Sequence, residues 1–570
     1  MMRLVVASGL VHRVLGAAIC AIGFATVAQG QRIAPRPNPR EWSSGGPLSP
    51  EQAAYDVTFY DLSMRVSPAD STITGNLVVY ARVTAPLEFL VLDLDSAFAV
   101  GRASDVTAGG STNLAVDRRG GKLWIRLDRT RSVGETLGVA VAYHGRPRVA
   151  PRPPWIGGFQ WARTPSGAPW IATTCVNEGA DLWWPVKDHP SDKPDSVSLH
   201  ITVPNGLVVA TNGKSRGKRA NADSTTTFDW HVSTPISMYN VALNIAPYRT
   251  ITRDYVSVTG EHFPVTYWVL PENYKKGLKL VPEMLEHLRF YERLLGPYPF
   301  RADKYGVAET PHLGMEHQTI IAYGNQYKKN EAGFDELHQH ELAHEWFGNL
   351  ITAKDWSDYW LHEGFGSYMQ PLYVERLRGK AAYFQWVKRQ MGGAKNRRAI
   401  AEPCCLTAGE VYFNPPDYLS SDGDIYGKGS AVLHTLRYVL GDSTFFTVLR
   451  RFLYPTRASE RVTDGSQVRL VTTEDFIKTA ERYAKQPLGW FFDVYVRQPA
   501  LPQLVVERSN DTMSLRWEAP GGRPFPMPLD LEIDGVTRRV KFTGNRAQLR
   551  VPAKAQVRAD PKGWIFRVME

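Results

Sequence analysis

From Tyr55 onward the chain alternates apolar and polar positions with period two: Tyr60, Leu62, Met64 and Val66, then Leu77, Val79, Ala81 and Val83, then Leu90, Leu92 and Leu94. Successive side chains of a strand face opposite sides, so each run predicts a half-buried strand, with turn residues around 68–70 and 84–86. Runs of this kind continue to about Ala246, which predicts a β-rich N-terminal domain over residues 55–250. Near Pro271 the period changes. Leu278, Val281, Leu285, Leu288 and Leu295 fall at helical spacing until Gly296 and Pro297 stop the run, and residues 251–498 read as mostly helical. Thr473 followed by Glu474 and Asp475 marks another helix start, carrying Phe476, Ala480 and Tyr483 before Pro487. Alternation returns after Pro499 and Pro502, with Leu504 and Val506, a turn at Ser509, Asn510 and Asp511, then Met513, Leu515 and Trp517. Residues 499–570 therefore predict a small β-sandwich, and the whole is an α+β multidomain chain.

At 570 residues the chain excludes a single small module. Residues 1–30 have a basic start (Arg3, Arg13), an apolar run from Val14 to Ala28 and small residues at Ala28 and Gly30. That is a signal-peptide pattern, and it predicts export to the periplasm or the medium. The apolar run is shorter than the ~20 residues that span a bilayer, and no other segment is apolar enough to do so. Residues 31–54, with Pro35, Pro37, Pro39, Pro47 and Pro50 and no apolar period, read as a Pro-rich disordered lead-in.

The charge, 67 Lys and Arg against 57 Asp and Glu, is spread along the chain. Its small clusters (Lys214, Arg216, Lys218, Arg219; Lys395, Arg397, Arg398) read as solvated loop tips, and no motif speaks for nucleic acid. Removing the leader with Cys20 leaves Cys175, Cys404 and Cys405. Either Cys175 pairs with Cys404 or Cys405, or all three are buried thiols. Trp155, Phe159, Trp161, Trp170, Trp183 and Trp184 crowd one stretch and read as core packing rather than a substrate pocket.

The chemistry is concentrated in His340-Glu341-Leu342-Ala343-His344, inside a Pro-free stretch over residues 335–350 that predicts a helix. Positions four apart lie one turn above each other, so both imidazoles can reach one Zn²⁺. A catalytic zinc needs a third protein ligand and an open position. Glu363, in Trp360-Leu361-His362-Glu363-Gly364, follows after eighteen residues and is the candidate. His338 and His362 lie off the helical spacing and read as surface residues or as neighbours of the ligands.

These residues, through His344-Glu345-Trp346-Phe347-Gly348-Asn349, resemble the gluzincin metallopeptidases of the aminopeptidase N family. Gly314-Met315-Glu316-His317 resembles that family's exopeptidase signature, and Tyr426-Gly427-Lys428-Gly429 its Y-x-K-G element. Weaker similarity runs through Trp183-Trp184-Pro185 and Asp188-His189-Pro190 to Asp560-Pro561. The resemblance implies a saddle-like N-terminal β-sheet domain and a thermolysin-like catalytic domain. It also implies one Zn²⁺ per chain on His340, His344 and Glu363, Glu341 as general base, and Tyr426 as hydrogen-bond donor to the oxyanion. Gly314, Met315 and Glu316 would bind substrate, the Glu316 carboxylate pairing with the α-ammonium of a peptide with a free N-terminal amine. Two positions depart from the signature, Leu313 and His317. Where relatives place a Gln near the substrate amine, this chain offers only Asn177 and Glu178. The expected activity is a zinc aminopeptidase; the alternatives are an endopeptidase or epoxide hydrolase on the same site, or a catalytically silent scaffold.

Overall fold

The computed structural model describes residue 36 and residues 38–568. Residues 1–30, where a signal peptide is expected, lie outside the described residues. The strand Tyr55–Ser67 pairs antiparallel with Thr72–Val83 and parallel with Ser196–Pro204, placing Leu62 opposite both Leu77 and Leu199. These three form the middle of a ten-stranded sheet. The predicted inward positions Tyr60, Leu62, Met64, Val66, Leu77, Val79, Leu90 and Leu92 are all buried, as period-two alternation requires. A separate four-stranded sheet (Val208–Thr211, Leu243–Ala246, Pro169–Thr174, Gly158–Arg163) completes the N-terminal β region. Trp183, Trp184 and Phe159 are fully buried in the core, as their crowding suggested.

The central region is less purely helical than its sequence predicts. It begins with a five-stranded mixed sheet, Arg249–Val256, His262–Val269, Tyr305–Glu309, Ile321–Tyr323 and, at the edge, Gly314–Met315. The last three strands are short and buried on both faces, so they show no alternation to read. Helix Tyr274–Leu295 forms where expected and ends at Gly296, but of the predicted face only Val281, Leu288 and Leu295 are buried; Leu278 is exposed, and Leu280, Met284 and Tyr291 complete the buried side. Helix Thr473–Ala484 is capped one residue earlier than expected, by Thr472 in a reciprocal capping box with Asp475. At the C terminus two three-stranded sheets, built around Thr512–Glu518 and Leu529–Ile533, enclose Trp517, Phe525 and Met527.

Three expectations are corrected. Residues 36 and 38–54 are ordered, with a 3-10 turn at Pro39–Glu41 and a helix at Pro50–Ala53 capped by Ser49. Arg36 pairs with Glu178 at 2.6 Å and lies over Trp42, Arg40 pairs with Glu410, and Ser43 Oγ donates to Asn177 O. Prolines and a missing period rule out long regular elements, yet they leave the chain free to find tertiary partners. Lys214, Arg216, Lys218 and Arg219 lie on an exposed edge strand, Lys214–Ala220, rather than on a loop tip; charged side chains are what keep such an edge from pairing further. Cys175 is a free buried thiol, while Cys404 and Cys405 are bonded to each other. Among the described residues no helix is long and apolar enough to cross a membrane.

Candidate metal centre

The motif helix is short, Glu336–Ala343, because Asp335 caps it at one end and the chain turns at His344. The expected helical stretch to residue 350 is therefore cut to about two turns. His344 still holds right-handed helical angles (φ −68, ψ −18), so the four-residue relation between the two imidazoles survives. Their Nε2 atoms lie 3.2 Å apart. Glu363, in the first turn of the helix Trp360–Arg378, brings Oε2 to 3.5 Å from His340 Nε2 and 3.4 Å from His344 Nε2. His340, His344 and Glu363 thus form a compact three-ligand group.

Three features of the group fit a divalent cation such as zinc. Glu363 Oε2 is buried and accepts no hydrogen bond. His344 Nδ1 donates to Phe347 O at 2.9 Å, the arrangement that orients Nε2 towards a metal. The third feature is charge. Burial lowers the basicity of an imidazole, yet Glu363, Glu316 and Glu341 together push His344 up to about 10. Burial raises Glu363, but His344 and His340 hold it below the usual carboxylate range. The pocket is short of positive charge.

Glu341 and Glu316 face the same pocket. Burial and the Glu316 charge push Glu341 well above its ordinary value; burial likewise pushes Glu316 up to about 7. A Cβ on Gly314 would sit 2.6 Å from both Glu341 Oε1 and Leu337 Cδ1. Met315, beside it, is buried in a two-residue strand paired to Ala322. Tyr426 lies on the helix Asp424–Leu440, its ring 6.2 Å from that of His340 and nearly parallel to it. Burial and the charge of Glu363 raise its phenol well above 10, so it stays protonated. The helices bearing Glu363 and Tyr426 cross at Gly364 and Gly429: a Cβ on Gly429 would meet Gly364 Cα at 2.7 Å. Glycine at the crossing lets both side chains reach one pocket.

Residues 285–495 match the peptidase family M1 domain. Human glutamyl aminopeptidase is 24% identical over 379 residues, covering 63% of this chain and 37% of that protein. Aminopeptidase M1-D of Oryza sativa is 23% identical over 478 residues, 80% of this chain and 52% of the relative, and aminopeptidase N of Lactococcus lactis is 26% identical over 234 residues, 39% and 26%. The chain thus spans about half or less of the length of these relatives. A solved M1 zinc metallopeptidase from Deinococcus radiodurans shares the fold, with a TM-score of 0.64 at 23% identity over 81% of this chain and 98% of that one. A mutant of the same protein, solved with a Tyr-Ser-Ala substrate, superposes equally well.

Several candidates from the sequence stand outside the three-ligand group, His362 beside it. His338 is buried between Tyr305 and His287, a polar seam in the core, not a surface residue. His362 is buried and its Nε2 accepts from Ala353 N at 2.8 Å. Neither nitrogen of the buried His317 has a hydrogen-bond partner. Asn177 donates to Trp155 O, and Glu178 is held by Arg36 and Gly157 N, so both are engaged within the N-terminal half. Sequence reasoning missed Tyr239, whose hydroxyl donates to Glu316 Oε1 at 3.1 Å, and Tyr412, whose ring lies 6.3 Å from Tyr426. Tyr239 sits in an apolar run, and nothing local distinguishes it from a core aromatic.

Proposed function

We propose that the chain is a zinc-dependent aminopeptidase, with one Zn²⁺ per chain, that removes N-terminal residues from peptides bearing a free amine. The observation that carries this reading is the convergence of His340, His344 and Glu363 beside two further buried carboxylates, Glu341 and Glu316. One metal per chain is supported by the other grouping among the described residues, Asp355 with Cys404 and Cys405, whose sulfurs are already bonded to each other. Zinc on the three ligands would polarise the scissile carbonyl and acidify the attacking water.

The chain's own groups do the rest. Glu341, its proton affinity raised by burial, accepts the proton of the attacking water and passes it to the leaving amine. Tyr426, kept protonated, donates to the developing oxyanion. The Glu316 carboxylate pairs with the α-ammonium, a charge-assisted contact that admits only the first peptide bond to the reacting position. The signal-peptide pattern of residues 1–30 supports an exported enzyme of the periplasm or medium.

The decisive measurement sets aminoacyl anilides against their N-acetylated forms, with and without chelator. Hydrolysis of the free amines alone, lost on chelation and restored by zinc, is expected. Equal hydrolysis of both forms would mean an endopeptidase, and indifference to chelator would remove the metal. Cleavage near residues 28–31, read by N-terminal sequencing of protein recovered outside the cytoplasm, tests export.

A further inference from the structure

The edge strand Gly314–Met315 pairs only with Tyr323 and Ala322, so the sheet ladder ends one residue before Glu316. A buried carbonyl still needs a donor, and the Glu316 carbonyl receives Asn349 Nδ2 at 3.0 Å. Asn349 also donates its own N–H to His344 O at 2.9 Å. One residue thereby touches the backbone of a metal ligand and the backbone of the amine anchor. Its Oδ1 accepts from Asn240 Nδ2 at 2.6 Å, and its carbonyl accepts from Lys193 Nζ at 2.9 Å. The residue before Asn240 is Tyr239, which donates to the Glu316 carboxylate itself. Asn240 and Asn349 are completely buried, and Tyr239 and Glu316 almost so.

We infer that Asn349 and Asn240 are positioning residues: they clamp Glu316 at a set distance from His344, and so residues contributed by the N-terminal β domain fix the exopeptidase register. The proposal rests on the assignment of Glu316 to the substrate ammonium. The 3-10 turn Met238–Asn240 supplies two adjacent contacts, one to the carboxylate and one, through Asn349, to the backbone that bears it. Each of these buried contacts restrains the next, and with one member gone its remaining groups lose partners they cannot replace with water. Misplacement by about 1 Å costs of the order of 10²-fold in a reaction that depends on alignment. Glu316 can hold the ammonium in line with the metal only while its strand end is pinned. The sheet does not pin it; the clamp does.

The test measures inhibition by leucine hydroxamate, which carries the free amine, and by N-acetyl-leucine hydroxamate, which does not. Both chelate the metal, and their ratio isolates the contribution of the amine. For the zinc-loaded protein the free amine is expected to bind about 10- to 100-fold tighter, the range of a hydrogen bond to a charged group. Asn349→Asp removes the donor to the Glu316 carbonyl but keeps the acceptor for Asn240, and Asn240→Ala removes the other half. Each is expected to lower the ratio about tenfold with zinc content and N-acetyl binding unchanged, and the double variant is expected to lose no more than the worse single one. General damage to the fold would weaken both inhibitors instead. A ratio unchanged in Asn240→Ala, which leaves the Asn349 contacts to His344 and Glu316 in place, overturns the clamp even if Asn349→Asp does not fold. If Glu316→Ala keeps the amine preference, the assignment of Glu316 fails, and the clamp fails with it. If Glu316→Ala abolishes the preference while both asparagine variants retain it, only the clamp is lost.

Discussion

The C-terminal sandwich and the metal centre are built on opposite terms. Among the described residues after 499, every fully buried side chain is apolar, Trp517, Phe525, Met527, Leu529 and Leu531 among them. Between residues 312 and 363 the interior holds Glu316, His317, His338, Glu341, His344, Glu345, His362 and Glu363. Burying a charge costs several kcal/mol unless it is paired or bound to a metal, whereas burying apolar area stabilises outright. One region is therefore tuned for stability. The other accepts a cost in stability to hold groups with shifted proton affinities, as the proposed catalysis would require.

Breaking the comparison from the catalytic side should give the largest effect. Glu341→Gln is expected to keep zinc and to lose about 10²- to 10⁴-fold in kcat, the range for a positioned acid–base group. Metal analysis beside steady-state kinetics checks this, and full activity would remove Glu341 from the mechanism. On the sandwich side, Trp517→Ala deletes a buried ring whose Nε1 donates to Met527 O. It should destabilise by about 3–5 kcal/mol in chemical denaturation while leaving metal affinity unchanged; a lost metal would show that the two regions are not independent. Tyr426→Phe keeps the ring near His340 and removes the donor, so kcat should fall about 10²- to 10³-fold at unchanged stability.

The smallest effect concerns pH. Burial pushes His338 and His434 down to about 3. Both bases are neutral in the folded chain, and in the unfolded chain they bind protons below about 6.5. Stability contributed by keeping them neutral is thus complete above pH 6.5 and falls as the pH drops, by about 1.4 kcal/mol per unit for each. His434 receives Tyr383 OH and donates to Gly563 O, joining the Tyr426 helix to the C-terminal segment. Urea unfolding at pH 7.5 and 5.5 should show a smaller loss for His434→Gln than for the native chain. An equal loss would mean that His434 does not carry it.

What could be read from the residues alone was local. Tyr60 to Val66 announce a strand because inward and outward positions repeat every two residues, and Thr473 to Asp475 announce a helix start within one residue because short polar side chains, Thr472 and Asp475, reach free backbone N–H groups there. His340 and His344 announce a metal for the same kind of reason, one helical turn between them. The short strands at Tyr305, Gly314 and Ile321 left no mark because both of their faces are covered. The lead-in read as structureless because its partners, Glu178, Asn177 and Glu410, lie more than a hundred residues away.

The spacing of two imidazoles, the alternation of the strands and the helix stops were determined by the sequence, since each depends on a repeat of two or of 3.6 residues that neighbouring side chains already obey. Only the tertiary structure decided that Gly364 and Gly429 let two helices touch, that Tyr239 reaches Glu316, and that Asn349 stands between Glu316 and His344. Those contacts join residues far apart in the chain. Their energy depends on distances across the core that no local pattern encodes.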